Sequence, residues 1–415
     1  MRIIINELRK IWNFKILAII IALCAIYFSL SMMDYIRWYP SGAWFGHVEF
    51  AHHLTENYGP SLNMEDFEDF LTYRDVIVAE LDQFFEANAF FRELEISGFD
   101  DLQNFREYYG PRYETLTDEE RSRFYAVSLE LGYIVRTEQY GDLTSQNVTP
   151  DAYNKINSFY NLVSFYQINI IMEDEWPSHI DSFIARHPLS EAEYNRLTQI
   201  RDSGELTSIM TQHTLFHAWR YARGLAMLVV LVTLIMVSSL VTSDRANRVN
   251  WLQYSSRQGR KIFGKQFLAV LISAVVVTTI LVIVFAAVFA AMTGMYAFWN
   301  NGINSFMGAT FHWLSITFGQ YVLLMVVVMY MISIGAAAFA FILARFSTNM
   351  IRLMFKIIPL FTVLVVLSNR VLDNFLQVVV GGDAFMQGVL LLLVLTVGFT
   401  AAVVVVVREK KFELV

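Results

Sequence analysis

Residues Gly259 to Gln266 come within one position of the phosphate-binding pattern GxxxxGK[ST]. In that pattern the last residue, Ser or Thr, supplies the hydroxyl that holds Mg²⁺, and the loop follows a β-strand. Gln266 has no hydroxyl, and no strand-forming run precedes Gly259. The sequence therefore argues against a nucleotide site, and the basic residues are better explained by a chain that is about to enter a membrane.

The histidines do not form a recognisable metal site either. His52 and His53 are adjacent, so on a helix their side chains would point about 100° apart and make poor co-ligands. His179 and His187 stand far from them in sequence, and no His-x-x-x-His or cysteine partner accompanies any of the four. We therefore expect no metal.

Composition places much of the chain in lipid. Of 415 residues, 55% are apolar and 17% charged, and the mean hydropathy is +0.43. A helix needs about 20 mostly apolar residues to cross a bilayer. Six runs approach or exceed this length: Phe14–Met33, Gly224–Thr242, Gln266–Met292, Ile316–Ala344, Leu353–Asn369 and Phe385–Val407. We therefore predict an all-α polytopic membrane protein with six transmembrane helices.

The first run has one other interpretation, a cleaved signal peptide, because basic residues precede it. The run is longer than a typical signal core and lacks a small-x-small cleavage site, so we interpret it as an anchor.

Basic residues predict the orientation of the chain in the membrane. Segments 1–15, 243–265, 345–356 and 408–415 hold 16 Lys and Arg, whereas 293–315 and 369–384 hold one. The positive-inside rule predicts that both termini are cytoplasmic and that residues 34–218 are extracellular.

The segment 34–218 differs in charge from the rest of the chain. It contains 12 basic and 32 acidic residues, a net charge of −20. Such a balance argues against a nucleic-acid partner, which requires a basic face. Its Phe and Tyr residues are candidates for lining a peptide or lipid groove, but aromatic residues at helical spacing more often form a core. The single cysteine, Cys24, lies in the first apolar run, so no disulfide is expected in this segment.

Helix signals run through the same segment. After Ser61, apolar residues recur every three or four positions from Phe67 to Phe85, which indicates one buried helical face. Thr117 with Glu120, and Ser190 with Glu193, have the form of a capping box. Pro150 is suited to a first helical turn. We therefore predict three parts: 1–33 with a first helix, 34–218 as a mainly helical extracellular domain, and 219–415 as the remaining bundle.

The loop between the second and third runs, 243–265, carries the functional argument. It combines arginines with the apolar anchors Trp251 and Leu252, and it turns at Gly259. A loop with no partner would need no such anchors. This composition is better suited to a protein partner than to solvent.

The order of features in this loop resembles the first cytoplasmic loop of bacterial ABC-2-type exporter permeases. In that family, an acidic residue at the end of the second span precedes a coupling helix. A serine-rich turn follows, then an Arg, a Gly, an Arg and a Lys at the start of the third span. The matching residues are Asp244, Leu252, Ser255, Ser256, Arg257, Gly259, Arg260 and Lys265, with Arg245, Arg248 and Trp251 between them. Asp244 stands where the family more often has glutamate.

Two further segments are similar to parts of the same family. Residues Ile3 to Phe14 resemble its amphipathic elbow helix, which would contain Arg9, Lys10 and Trp12. Trp12 and Lys15 stand where interfacial anchors belong. Residues 369–384 look like its outer re-entrant segment. The resemblance covers roughly 1–33 and 219–415.

The resemblance implies a non-catalytic permease subunit in the bacterial cell membrane. A separate ABC ATPase would bind ATP and Mg²⁺, a second permease would complete a homo- or heterodimer, and membrane lipids would surround the pair. The cargo stays open among antimicrobial peptides, drugs and lipids.

Three other functions remain open: an ATP-independent channel or secondary transporter, a receptor whose outer domain binds a ligand, and an intramembrane enzyme. Transporters coupled to ions usually carry ionisable groups at mid-membrane. Here four of the six runs contain none, and those in the other two lie near their ends. A receptor would need only one anchor, and no intramembrane catalytic motif is present.

Overall fold

The computed structural model describes residues 2–39, 44–127, 130, 150–171, 178–246, 262–308, 310–347, 349–378 and 384–411. The larger helices, in chain order, are α1 (Arg2–Ile11), α2 (Phe14–Tyr27), α3 (Met33–Arg37), α4 (Trp44–Tyr58), α5 (Met64–Leu71), α6 (Tyr73–Ala87), α7 (Ala89–Glu93), α8 (Phe99–Tyr109), α9 (Pro150–Tyr166), α10 (His179–Arg186), α11 (Glu191–Asp202), α12 (Gln212–Ala246), α13 (Ile262–Thr293), α14 (Phe318–Arg345), α15 (Met350–Leu372) and α16 (Ala384–Lys411). Residues 118–127 are also helical. Within the described ranges there is no strand and only two isolated β-bridges, so the all-α prediction is confirmed.

Among the described residues, six helices are long and apolar enough to cross a membrane. The first is Phe14–Arg37, in which a π-helical turn, Phe28–Met32, joins α2 to α3; the others are α12 to α16. Five of the six apolar runs of the sequence fall within one of these helices, and the fourth, Ile316–Ala344, begins two residues before α14. The chain is therefore an all-α polytopic membrane protein. Pro359 lies inside α15, as is tolerated in membrane helices.

The chain forms two compact units. The bundle unit contains Met1–Arg37, Phe216–Tyr296 and His312–Val415; the inserted unit contains Trp38–Leu215 and Ala297–Phe311. The second segment of the inserted unit differs from expectation, because sequence analysis assigns all of 219–415 to the bundle. Residues Ala297–Phe311, which connect the third and fourth membrane helices, thus fold together with the segment that follows the first membrane helix.

The inserted unit has an aromatic core. Phe67 stacks on Tyr166 with ring centroids 4.1 Å apart, and both rings are buried. Phe70 packs against Phe159 at 5.1 Å, and Phe50 meets Phe70 edge-on at 5.8 Å. The interpretation of these aromatic residues as core is confirmed.

Helix starts in the inserted unit follow their caps. The boxes at Ser190 with Glu193 and at Thr117 with Glu120 are both formed, and α9 begins at Pro150. Ser61 is not a cap. The cap of α5 is Asn63, because its side chain and that of Asp66 exchange hydrogen bonds with each other's backbone, and the expected single helical face is divided between α5 and α6.

Polar contacts explain why Ala297–Phe311 joins the inserted unit. The Ser305 hydroxyl donates to the Ser208 carbonyl oxygen at 2.5 Å and accepts from the Met210 amide at 3.0 Å. The Phe306 amide donates to the Leu206 carbonyl oxygen at 2.8 Å. Ser305 and Phe306 therefore satisfy buried backbone groups that lie about a hundred positions earlier in the chain.

An ion pair secures the same region. Both terminal nitrogens of Arg196 donate to the carboxylate of Glu205, at 3.0 and 2.9 Å, and the Asn304 amide donates to that carboxylate at 2.5 Å. Arg196 is buried, so this forked geometry compensates for its lost hydration. The pair joins α11 to the residues that receive Ala297–Phe311.

In the bundle unit, glycines allow α14 and α16 to approach closely. A Cβ atom added to Gly335 would lie 2.6 Å from Cγ1 of Val394, and one added to Gly398 would lie 3.0 Å from the Phe339 ring. Small residues at such crossings are typical of membrane helices, which associate through close packing.

Candidate functional site

Most of the predicted coupling residues lie outside the described residues. This holds for Arg248, Trp251, Leu252, Ser255, Arg257, Gly259 and Arg260. Asp244 and Arg245 lie in the last turn of α12. The structure therefore describes the two helices that flank the loop, α12 ending at Ala246 and α13 beginning at Ile262. The role of the loop residues stays a prediction.

The predicted elbow forms the separate helix α1, which ends one residue before Trp12. Asn13 breaks the helix and caps α2, because its side chain accepts a hydrogen bond from the Lys15 amide at 3.0 Å. One face of α1 is buried through Glu7 and Ile11, which are four positions apart, whereas Arg9 is exposed. This pattern agrees with an amphipathic helix.

The buried face of α1 packs on the beginning of α13. Glu7 is only 5% exposed. One carboxylate oxygen accepts from the Lys10 ammonium at 2.9 Å, and the other accepts from the Gln266 amide at 3.1 Å. A buried carboxylate requires such partners, since an unpaired charge is costly to bury. Gln266 thus links α13 to α1 by binding the Glu7 carboxylate. A polar residue at the start of an apolar run does not by itself predict such a contact.

A second hydrogen bond fixes α1 two helical turns further along α13. The indole nitrogen of Trp12 donates to the Ser273 hydroxyl at 3.2 Å. Ser273 is buried, and Trp12 is half-buried. The expectation for Trp12 was an interfacial anchor; in the structure its polar group faces α13.

The first turn of α13 also meets the end of α14. The Arg345 guanidinium carbon lies 3.8 Å from the centroid of the Phe263 ring, within the range of a cation–π interaction. Both residues are buried. Phe263 is the second residue of α13, which begins inside the predicted loop segment 243–265. The helix that leaves the loop is therefore held on one side by α1 and on another by α14.

A tight connection follows Arg345. The Lys356 ammonium donates to the Phe346 carbonyl oxygen at 2.9 Å, and Asn349 caps α15 by accepting from the Arg352 amide at 2.9 Å. The predicted cytoplasmic segment 345–356 is therefore mostly helix, and α15 begins at Met350.

Three hydroxyl groups meet inside the bundle unit. The Ser333 hydroxyl lies 3.1 Å from that of Thr233 and 2.8 Å from that of Thr278, and all three residues are buried. They join α12, α14 and α13. Because the three residues are separated by tens of positions, sequence spacing gives no signal for this cluster.

Residues 369–384 are only partly described. Residues up to Leu372 belong to α15, and Asp373 to Val378 form turns in which Asn374 and Leu376 have positive φ angles of 46° and 60°. Gln387 fixes these turns, since its amide donates to the Asp373 carbonyl oxygen at 2.8 Å. Residues 379–383 lie outside the described residues, so the re-entrant segment stays a prediction.

The histidines of the inserted unit pack on aromatic rings. His53 stacks on Tyr73 at 4.4 Å, and His187 on Phe183 at 4.0 Å. Burial lowers the pKa values of His47, His53 and His179 below the ordinary value for histidine. Among the described residues, no three metal-binding side chains come together.

Comparison with known proteins does not assign the chain to a family: no family model, no curated protein and no solved structure matches it.

Proposed function

We propose that this chain is the permease subunit of a bacterial ABC-2-type exporter. It would be non-catalytic, and ATP and Mg²⁺ would bind to a separate ABC ATPase. A second permease would complete the transport pathway. In this proposal the termini and the loop 243–265 are cytoplasmic, and residues 34–218 are extracellular, as the distribution of Lys and Arg predicts.

One observation carries the proposal: the helix that follows the Arg-rich loop is attached to two other helices. Gln266 binds α1 through Glu7, and Ser273 binds Trp12, the residue that follows α1. Phe263 contacts Arg345 at the end of α14. A force applied to the loop would therefore move α1, α13 and α14 together. Such a rigid group suits a mechanism in which an ATPase rocks helices between two arrangements.

The interior of the membrane helices favours an external energy source. The buried polar contacts at Thr233, Thr278 and Ser333 are made by hydroxyls, which do not titrate near neutral pH. Arg345 is the last residue of α14, and Glu7 lies in α1, which precedes the first membrane helix. Proton- or ion-coupled transporters instead place ionisable groups near mid-membrane.

Export is the direction implied by the resemblance. Antimicrobial peptides, drugs and lipids remain the candidate substrates, and the acidic segment 34–218 would attract cationic molecules by long-range electrostatics.

The test is affinity purification of the tagged chain from its native membrane in mild detergent, followed by mass spectrometry. We expect a stoichiometric ATP-binding protein with the wild type. Trp251→Ala should lose it, whereas Trp299→Ala, an exposed tryptophan of the inserted unit, should retain it. Reproducible absence of an ATP-binding partner would contradict the proposal and favour the channel or receptor.

A further inference from the structure

Two arginines near the beginning of α12 are held in fixed orientations by aromatic rings. The Arg220 guanidinium carbon lies 3.5 Å from the centroid of the Phe216 ring, and that of Arg223 lies 5.2 Å from the Trp219 ring. Trp219 is buried. A planar guanidinium that stacks on a ring keeps its N–H edge available for an in-plane acceptor. The stacking therefore preorganises both arginines as hydrogen-bond donors.

The charges of this cluster do not balance. Arg223 pairs with Asp373, with nitrogen and oxygen 3.1 Å apart. Arg220 has no ion pair and no hydrogen bond to any described residue, and its Nε atom is buried without a partner. Two cations thus share one carboxylate. A buried, unpaired donor on a charged group is unfavourable, and an arginine in a membrane helix marks a functional site unless a partner is found.

The position along α12 indicates where a partner would come from. At about 1.5 Å per residue, the 35 residues of α12 span about 52 Å, well beyond the ~30 Å hydrocarbon core. The apolar part begins at Gly224, directly after Arg223. Arg220 and Arg223 therefore lie at the boundary of the apolar run, where a helix that crosses a bilayer would meet lipid phosphate groups.

We propose that Arg220, assisted by Arg223, binds a phosphate-bearing anion, and that the anion is the headgroup of an acidic phospholipid. Guanidinium groups bind phosphate through two parallel hydrogen bonds, which suits the free edge of Arg220. Arg223 contributes less, because Asp373 already occupies part of it. Such binding requires neither an ATPase partner nor a particular orientation of the chain.

The experiment measures thermal unfolding of the purified full chain in detergent while lipid is titrated. Short-chain phosphatidylglycerol should raise the unfolding temperature, and phosphatidylcholine of the same chain length should raise it less. Arg220→Gln should increase the half-maximal phosphatidylglycerol concentration by about tenfold or more, the effect of losing a charged hydrogen bond. The half-maximal concentration for Arg220→Lys should lie between those of the wild type and Arg220→Gln, because lysine keeps the charge but lacks the planar fork.

Arg370→Gln is the matched control, since Arg370 is exposed on α15 and its loss changes the charge equally. It should behave as the wild type. Asp373→Asn should lower the half-maximal phosphatidylglycerol concentration, because it releases Arg223. A purely structural role for the ion pair would instead lower the starting unfolding temperature and leave the lipid response unchanged, which would overturn the role of Arg223.

Inorganic phosphate distinguishes the source of the anion. If millimolar phosphate alone produces the same Arg220-dependent stabilisation, the site binds a free anion; if only the lipid does, it binds the headgroup. The proposal is overturned if Arg220→Gln and Arg370→Gln respond alike, or if phosphatidylglycerol does not stabilise the wild type. Size-exclusion profiles and unfolding temperatures without lipid show whether each variant is folded.

Discussion

Replacing Gly335 with alanine should separate α14 from α16. The new Cβ would lie 2.6 Å from Val394 Cγ1 and 3.4 Å from the Val394 carbonyl oxygen. Carbon atoms prefer about 3.5–4 Å, so the helices must part by about 1 Å or Val394 must leave its rotamer. A valine in a helix has one strongly preferred χ1, which makes the second response costly. Overpacking of this kind costs about 1–3 kcal/mol.

Gly388→Ala is the matched control. Gly388 lies in α16, the partner helix of α14, and a Cβ there would meet nothing within 4 Å. Both substitutions gain the same intrinsic helix propensity, about 1 kcal/mol, so the difference between the two variants isolates the packing term. We expect Gly335→Ala to be less stable than Gly388→Ala by about 1–3 kcal/mol in SDS titrations of the purified protein.

Removing the obstructing methyl groups should restore part of this loss. In the background of Val394→Ala, the substitution Gly335→Ala should therefore cost much less than in the wild type. Equal stability of Gly335→Ala and Gly388→Ala would refute the close approach of the two helices, and an unchanged cost in the Val394→Ala background would refute Val394 as its cause.

Three further predictions concern buried polar groups. Gln266→Leu removes a hydrogen-bond donor from the buried Glu7 carboxylate and should lower the free energy of unfolding by about 1.5–3 kcal/mol in thermal or SDS unfolding. The double variant with Glu7→Leu should recover part of this loss, and additive effects of the two substitutions would contradict the contact. Glu205→Leu leaves the buried Arg196 guanidinium without its carboxylate and should lower the free energy of unfolding by about 3–5 kcal/mol. We expect faster proteolysis of the inserted unit, and an unchanged digestion rate would argue against the ion pair. Because burial lowers the pKa of His47, the unfolded chain binds more protons below about pH 6.5, and stability should fall as pH drops through that value. His47→Asn should flatten this dependence below about pH 6.5, and an unchanged slope would exclude His47 as its source.

The membrane helices were predictable because a bilayer imposes a length and an apolar composition on each of them. The first and last residues of these helices were harder to predict. α12 begins at Gln212, well before Gly224, because the Thr211 hydroxyl accepts a hydrogen bond from the Thr214 amide at 3.2 Å and hydropathy does not register such a contact. Capping boxes such as Ser190 with Glu193 were predictable because the hydrogen bonds are local.

Contacts distant in sequence were not predictable. Ser305 resembles any loop serine, and only the fold brings it to Ser208, 97 positions away. The same is true of Arg345 on Phe263 and of Glu7 with Gln266. Composition indicated that charges gather at helix ends, but which charge meets which partner depends on how the helices pack.

The most direct test of the transporter proposal is photo-crosslinking from position 252 in native membranes. A photoreactive amino acid replaces Leu252 in the full-length chain, and a second variant carries it at Trp299 as control. The proposal predicts an adduct with an ATP-binding protein from position 252 and none from position 299. No such adduct from 252, or the same adduct from both positions, would contradict an ATPase docked on this loop.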